Sequence, residues 1–136
     1  MVYALDTNII IHLLNGTAAV RDKRDKAIEQ NACLIIPPVV NYEMRRGFLY
    51  KPAPAKEELY RVFRSIFTLG EMNEKVWECA AATYANIRNA KRTAEDADIL
   101  IAAFCIVNGC TLVTHNIKHY NFIDGLTIED WAAEEE

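Results

Sequence analysis

From Ile99 to Val107 the chain reads ILIAAFCIV, an unbroken apolar run, and the acids Glu95, Asp96 and Asp98 stand at its entrance. A helix that is apolar nearly all round is a buried helix, so other elements must cover it on more than one side. Asn108-Gly109 stops it, and Thr111 to Thr114 then reads as a short strand running into His115 and Asn116. Asp98, in the first helical turn, is thus a carboxylate at the mouth of a buried element. Isolated there it would neutralise, unless a cation, a hydrogen-bond donor or water in a cleft keeps it charged. What else arrives at that point decides the chemistry.

Other segments fit a layered α/β chain. Val2 to Leu5 is a short apolar run of the kind a buried parallel strand gives, and it hands over at Asp6-Thr7-Asn8 to a helix through Leu14. Asn15-Gly16 ends that helix, and Thr17 to Gln30 reads as a second, charged one. Cys33 to Ile36 is the next strand, closed by Pro37-Pro38 because proline cannot donate to a ladder. Helices follow over Val39 to Phe48 and Lys56 to Phe67, with Thr68-Leu69 as a possible short strand. A long helix capped by Asn73 runs to Ala90, with Val76, Ala80, Tyr84 and Ile87 facing inward. After the strand at Thr111 to Thr114 come a turn through Asn121 to Gly125 and a tail. Strands alternating with helical crossovers imply parallel pairing. The expected fold is a three-layer α/β/α sandwich around a central parallel sheet, with residues 1–136 as one domain.

Composition bounds the rest. The chain has 136 residues, enough to bury a core without disulfides or structural metals. Cys33, Cys79, Cys105 and Cys110 form no C-x-x-C pair and read as reduced thiols in or beside apolar segments. No leader pattern opens the chain, and the longest apolar run is too short for a membrane span, so the expectation is a soluble, cytoplasmic protein. The net charge of −4 hides an asymmetry: five acids fall in the tail EDWAAEEE, and the fourteen that remain face fifteen Lys and Arg, a net charge of +1. The basic clusters at 21–26, 45–46, 61–64 and 88–92 are ordinary solvated helix faces unless a cleft gathers them into a phosphate track.

At one edge of such a sheet the ends of the first and of the later strand meet, so Asp6, Asp98 and Asn116 can converge, and Glu43, one turn into its helix, can join them. Carboxylates about 4 Å apart repel by roughly 4 kcal/mol per pair at an effective dielectric of 20. Either one of them keeps a proton or a hard divalent cation neutralises the set. An all-oxygen set without Cys or paired His favours Mg2+ or Mn2+ over zinc.

Leu5-Asp6-Thr7-Asn8 after the first strand, Glu43 after the second, the run Asp98 to Ala103, and Leu112 to Asn116 followed by Asp130-Trp131 resemble the motifs of the PIN-domain ribonucleases, in particular VapC toxins of toxin–antitoxin pairs. Singly each motif is weak; in order along nearly the whole chain they are specific. The resemblance implies a metal-dependent endoribonuclease that leaves a 5′-phosphate, a toxin silenced by a cognate antitoxin protein, and a homodimer. It further implies that Asp6 and Asp98 are the principal metal ligands, with Glu43 completing the catalytic acids. Asn116 stands where many PIN nucleases carry an acid, so one firmly held ion is the expectation.

Around these, Thr7 and Thr114 offer hydroxyls to bound water or phosphate, or act as plain caps. Asp96 points about 200° away from Asp98 on a helix and reads as a cap or supporting group. Tyr42, Arg46 and Arg92 are the candidates for holding RNA, Tyr42 by stacking. His12, His115 and His119 have no partner visible in the sequence, and Trp77 and Trp131 read as packing residues. Two other readings stay open: a PIN-like module that binds RNA or protein without cutting, and a phosphoryl-transfer α/β domain. The second would want an Asp where Asn8 stands, or a Lys near Thr114.

Overall fold

The computed structural model describes residues 1–133, so the last three acids of the tail lie outside the described residues. The strands are β1 (Val2–Leu5), β2 (Cys33–Ile36), β3 (Thr68–Leu69), β4 (Thr111–Val113) and β5 (Thr127–Glu129). The helices are α1 (Thr7–Leu14), α2 (Ala18–Glu29), α3 (Pro38–Tyr50), α4 (Pro54–Ile66), α5 (Glu74–Asn89) and α6 (Asp96–Asn108), with a 3-10 turn at Ile117–His119. The five strands pair entirely in parallel in the order β3-β2-β1-β4-β5, which is the α/β architecture expected.

That order positions the site. The chain winds outward from β1 through β2 to β3, then crosses back to lay β4 and β5 on the other side. In open α/β sheets the crevice at such a reversal, outside the carboxyl ends of the strands, is where ligands bind. Here it falls between β1 and β4, in register from Tyr3↔Thr111 to Leu5↔Val113, and the Asp6 backbone N–H continues the ladder by donating to the Val113 carbonyl at 2.9 Å.

The core forms where the pattern put it. Ile99 and Ile101 to Cys105 of α6 are buried, and Gly109 ends the helix at φ +64°, a left-handed value at which other L-residues are strained. Gly70, after β3, has no room for a side chain, because a Cβ there would meet the Phe104 ring and the Pro38 ring. Asn73 caps α5 as expected, its side chain accepting from the Val76 N–H at 3.0 Å.

Several expectations are corrected. Strand β5 lies in what reads as tail; at a sheet edge only Ile128 of its three residues turns partly inward. The inward face of α5 is Val76, Ala80, Thr83 and Ile87, while Tyr84 and Trp77 are each 50 % exposed. Cys33, expected in the core, is exposed; all four cysteines are free. Among the described residues no helix is long and apolar enough to cross a membrane.

Candidate active site

Asp6 is the residue at which β1 becomes α1. Its extended backbone (φ −71°, ψ 161°) makes it the N-cap, and its side chain accepts from the Thr7 N–H at 2.8 Å. Capping and site chemistry are therefore the same placement, not rivals. Asp6 is 5 % exposed, and its second oxygen accepts from Thr114 Oγ1 at 2.8 Å and from Asn8 Nδ2 at 3.1 Å. Three donors on one buried carboxylate fix its orientation.

Glu43, in the second turn of α3, accepts from Thr7 Oγ1 at 3.0 Å, and Arg46 one turn on stands 3.6 Å from its other oxygen. Burial raises its pKa, the Thr7 bond and Arg46 hold it down, and Asp6 and Asp98 add to the rise. Asp98, in the first turn of α6, receives the Tyr120 hydroxyl at 3.1 Å on one oxygen and faces His119 Nδ1 at 3.2 Å on the other. Burial raises its pKa as well; Tyr120 and His119 oppose the rise, and Asp6 and Glu95 reinforce it. Asp6 thus acts on both Glu43 and Asp98, and the three acids, from three elements, share one field.

They are not crowded into a cage. Among the described residues no group of three or more His, Cys, Asp or Glu side chains is disposed to hold a metal ion by itself. The reason is visible in the bonds: each carboxylate is engaged by donors of its own, which fix it in place. Mg2+ keeps several of its waters and binds through one or two carboxylates together with phosphate oxygens. The carboxylates of Asp6 and Asp98, each already oriented by donors, are hard oxygen ligands that fit that mode, and among the described residues no thiolate stands beside them to favour a soft metal.

The supporting residues sort as follows. Thr114 is fully buried and is spent on structure, donating to Asp6 and accepting the Asn116 N–H at 3.0 Å. Thr7 likewise holds Glu43. Asn116 contributes its backbone N–H, and its exposed side chain makes no hydrogen bond among the described residues. Asp96, expected as a cap or support for Asp98, does neither: it is exposed on the far side of α6, beside Trp77 and Tyr84. Tyr42 is 60 % exposed with the Arg46 guanidinium 5.1 Å from its ring centroid, close by Glu43. Arg92 lies 5.0 Å over the Phe122 ring, nearer Asp98.

Sequence reasoning missed Tyr120 altogether, and it missed the bonds made by Asn8 and the histidines. Tyr120 is 1 % exposed, and burial, then Asp6 and Asp98, push its phenol far above the ordinary tyrosine range. It is a permanent donor between two acids. Asn8 ties Asp6 to Thr114 and, through Oδ1, accepts the His115 N–H at 2.8 Å. The histidines do have partners: His119 faces Asp98, His115 Nδ1 lies 3.0 Å from Asp130, and His12 Nδ1 lies 3.0 Å from Thr17 Oγ1. Only the neighbouring Asp130-Trp131 could have hinted at the second of these.

Residues 3–123 match the PIN domain family. Ribonuclease VapC2 of Rickettsia felis is 25 % identical over 96 % of this chain and 98 % of its own length. Ribonuclease VapC1 of Haemophilus influenzae is 26 % identical over 97 % of this chain and 99 % of its own. The crystal structure of VapBC2 from Rickettsia felis, bound to a DNA fragment from its promoter, contains a chain that superposes with a TM-score of 0.89 at 24 % identity, covering 96 % of this chain and 99 % of that one.

Proposed function

Since the chain belongs to the PIN domain family, we propose that it is a metal-dependent endoribonuclease, the toxin of a VapBC-type toxin–antitoxin pair. The observation that carries the reading is the convergence of Asp6, Glu43 and Asp98, each oriented by its own donors, in the crevice at the carboxyl ends of β1 and β4. A fold that gathers three acids from distant elements, two of them with raised pKa values, forgoes stability for a charge-binding task.

Asp6 and Asp98 would hold a Mg2+ or Mn2+ ion, with Glu43 beside them. When bound, such an ion supplies a water of lowered pKa for in-line attack on phosphorus and offsets charge on the leaving oxygen. The chain's own residues prepare for this. Thr114 and Asn8 hold the Asp6 carboxylate in orientation, Tyr120 and His119 aim Asp98, and Glu43, already raised by burial, is the group suited to accept a proton from the attacking water. Arg46, with Tyr42 beneath it, and Arg92 are positioned to meet phosphates on either side.

An antitoxin would silence the site from a neighbouring apolar groove of about 280 Å3, lined by Ile11, Leu14, Met44 and Phe48. The groove shares Thr7 and Glu43 with the site, and Lys51 and Lys56 at its rim suit an acidic segment. A second copy of the chain would cover the exposed Trp77 and Tyr84. Such a pair would work in the cytoplasm.

The test is cleavage of single-stranded RNA by the purified chain with Mn2+. Cleavage should stop with chelator and in Asp6→Asn, and growth arrest on expression should be relieved by the adjacent upstream reading frame. Undiminished cutting in chelator would overturn the proposal. The uncharged Asn116 favours one rival, a module that binds RNA without cutting; Mn2+ binding with no cleavage of any RNA would select it.

A further inference from the structure

Next to Asp98 a cavity of about 360 Å3 opens, lined by Glu95, Asp98, Lys118, His119 and Phe122. Its size falls at the lower end of small-ligand sites. Phe122 is half-buried, and its ring also carries the Arg92 guanidinium at 5.0 Å from the centroid. A ring stiffened by a cation is a platform for a flat aromatic ligand, and nucleobases stack on such side chains whatever their sequence. Lys118, with Arg92 behind the ring, brings positive charge beside it, which suits a ligand that is flat at one end and anionic at the other.

The position of the cavity names the ligand more closely. One wall is Asp98, the carboxylate that shares its field with Asp6 and Glu43, so an occupant lies directly beside the reacting centre. Glu95, at the head of α6, accepts the Ile99 N–H through its backbone carbonyl, while its side chain caps nothing and makes no hydrogen bond or ion pair among the described residues. A carboxylate oxygen that faces C4 of a pyrimidine is met in cytosine by the N4 amine, which donates to it. Uracil presents a carbonyl oxygen at that position, so two acceptors would face each other.

We propose that this cavity is a nucleobase subsite: the base flanking the scissile linkage stacks on Phe122, Lys118 holds its phosphate, and Glu95 selects bases that carry an amino group. The inference rests on the nuclease reading above and adds a determinant of which RNA is engaged.

The experiment is fluorescence anisotropy of the full chain in chelator with labelled oligocytidylate and oligouridylate, followed by cleavage kinetics of both with Mn2+. The expected result is tighter binding of oligocytidylate. Phe122→Leu should weaken binding of both by about 5- to 150-fold, the range that stacking one base gives, and Phe122→Tyr should restore it. Glu95→Gln should narrow the cytidine-over-uridine difference, because an amide can also donate. Lys118→Ala, at an exposed position that carries no folding risk, should weaken both oligomers equally and lower the salt dependence. In kinetics the Phe122→Leu loss should appear mainly in KM. If the wild type cuts no RNA, the nuclease reading fails. If it cuts, but Phe122→Leu and Lys118→Ala bind and cut as the wild type does, the subsite alone fails.

Discussion

Replacing Tyr120 with Phe removes one oxygen from a side chain that is 1 % exposed, and two separate effects should follow. The first is on stability. The hydroxyl donates to Asp98 at 3.1 Å, and a hydrogen bond to a charged group contributes about 1.5–3 kcal/mol. Asp98 keeps His119 at 3.2 Å and is only partly buried, so water can take the vacated lone pair and the lower end applies. About 1.5 kcal/mol in a chain of this size lowers Tm by roughly 5 °C. The second effect is on the ion. Burial raises the Asp98 pKa and the Tyr120 bond holds it back, so without that bond Asp98 keeps its proton to a higher pH. Metal ligands must be deprotonated, so Mn2+ affinity in the variant should begin to fall at a higher pH than in the wild type. Each further unit of rise makes binding about tenfold weaker on the acid side. Titration calorimetry with Mn2+ from neutral pH downward reads this directly: near-equal affinities at the start, then a widening deficit. If the two proteins keep the same affinity at every pH and only Tm falls, Tyr120 merely packs, and the reasoning is wrong.

Asp98→Asn should abolish RNA cleavage while the metal-free variant melts no lower than wild type, since it removes like charge from a shared field; retained cleavage would refute the assignment. The pKa values of Glu43 and Asp98 are both raised, so the native state holds these protons more tightly than the unfolded chain. Their contribution is therefore complete below the unfolded carboxylate pKa and is lost as pH rises through the raised native values, so metal-free urea melts should weaken from mildly acid to neutral pH, less steeply in Asp98→Asn. Thr114→Val strips a 2.8 Å bond from Asp6 and orphans the Asn116 N–H, costing about 2–4 kcal/mol by chemical denaturation; unchanged stability would contradict the bonding described. Gly70→Ala forces the Phe104 ring aside in a filled core and should cost about 1–3 kcal/mol; a neutral result would mean that the ring has room to turn.

The fold was legible wherever burial wrote a pattern. Strands β1 and β2 lie between covered faces, so Val2–Leu5 and Cys33–Ile36 are apolar runs with plain stops and their bounds could be read directly. Strand β5 is held at the sheet edge by pairing with β4 and needs only Ile128 for the core, so nothing periodic marks it. On α5 the choice between Thr83 and Tyr84 is a choice between steps of three and four, both of which a helix allows. The expected inward face took Tyr84, yet the smaller Thr83 fits against the core and Tyr84 is left half in solvent.

In the site, the same division separates ligands from their supports. Asp6 and Asp98 stand out because each sits where a strand or buried helix meets solvent, a boundary that hydrophobic patterning locates to within a residue or two. Tyr120 and His119 reach Asp98 from the segment between β4 and β5, whose path is set by its 3-10 turn and by the docking of Ile123, not by any repeat. Asn8 was visible as the end of the Leu5-Asp6-Thr7-Asn8 motif and as a missing acid, but not as the amide that joins Asp6 to Thr114 across the reversal of the sheet. A carboxylate announces itself through the cost of burying its charge. The neutral donor that makes the burial tolerable carries no such cost, and so it can be found only once the chain is folded around it.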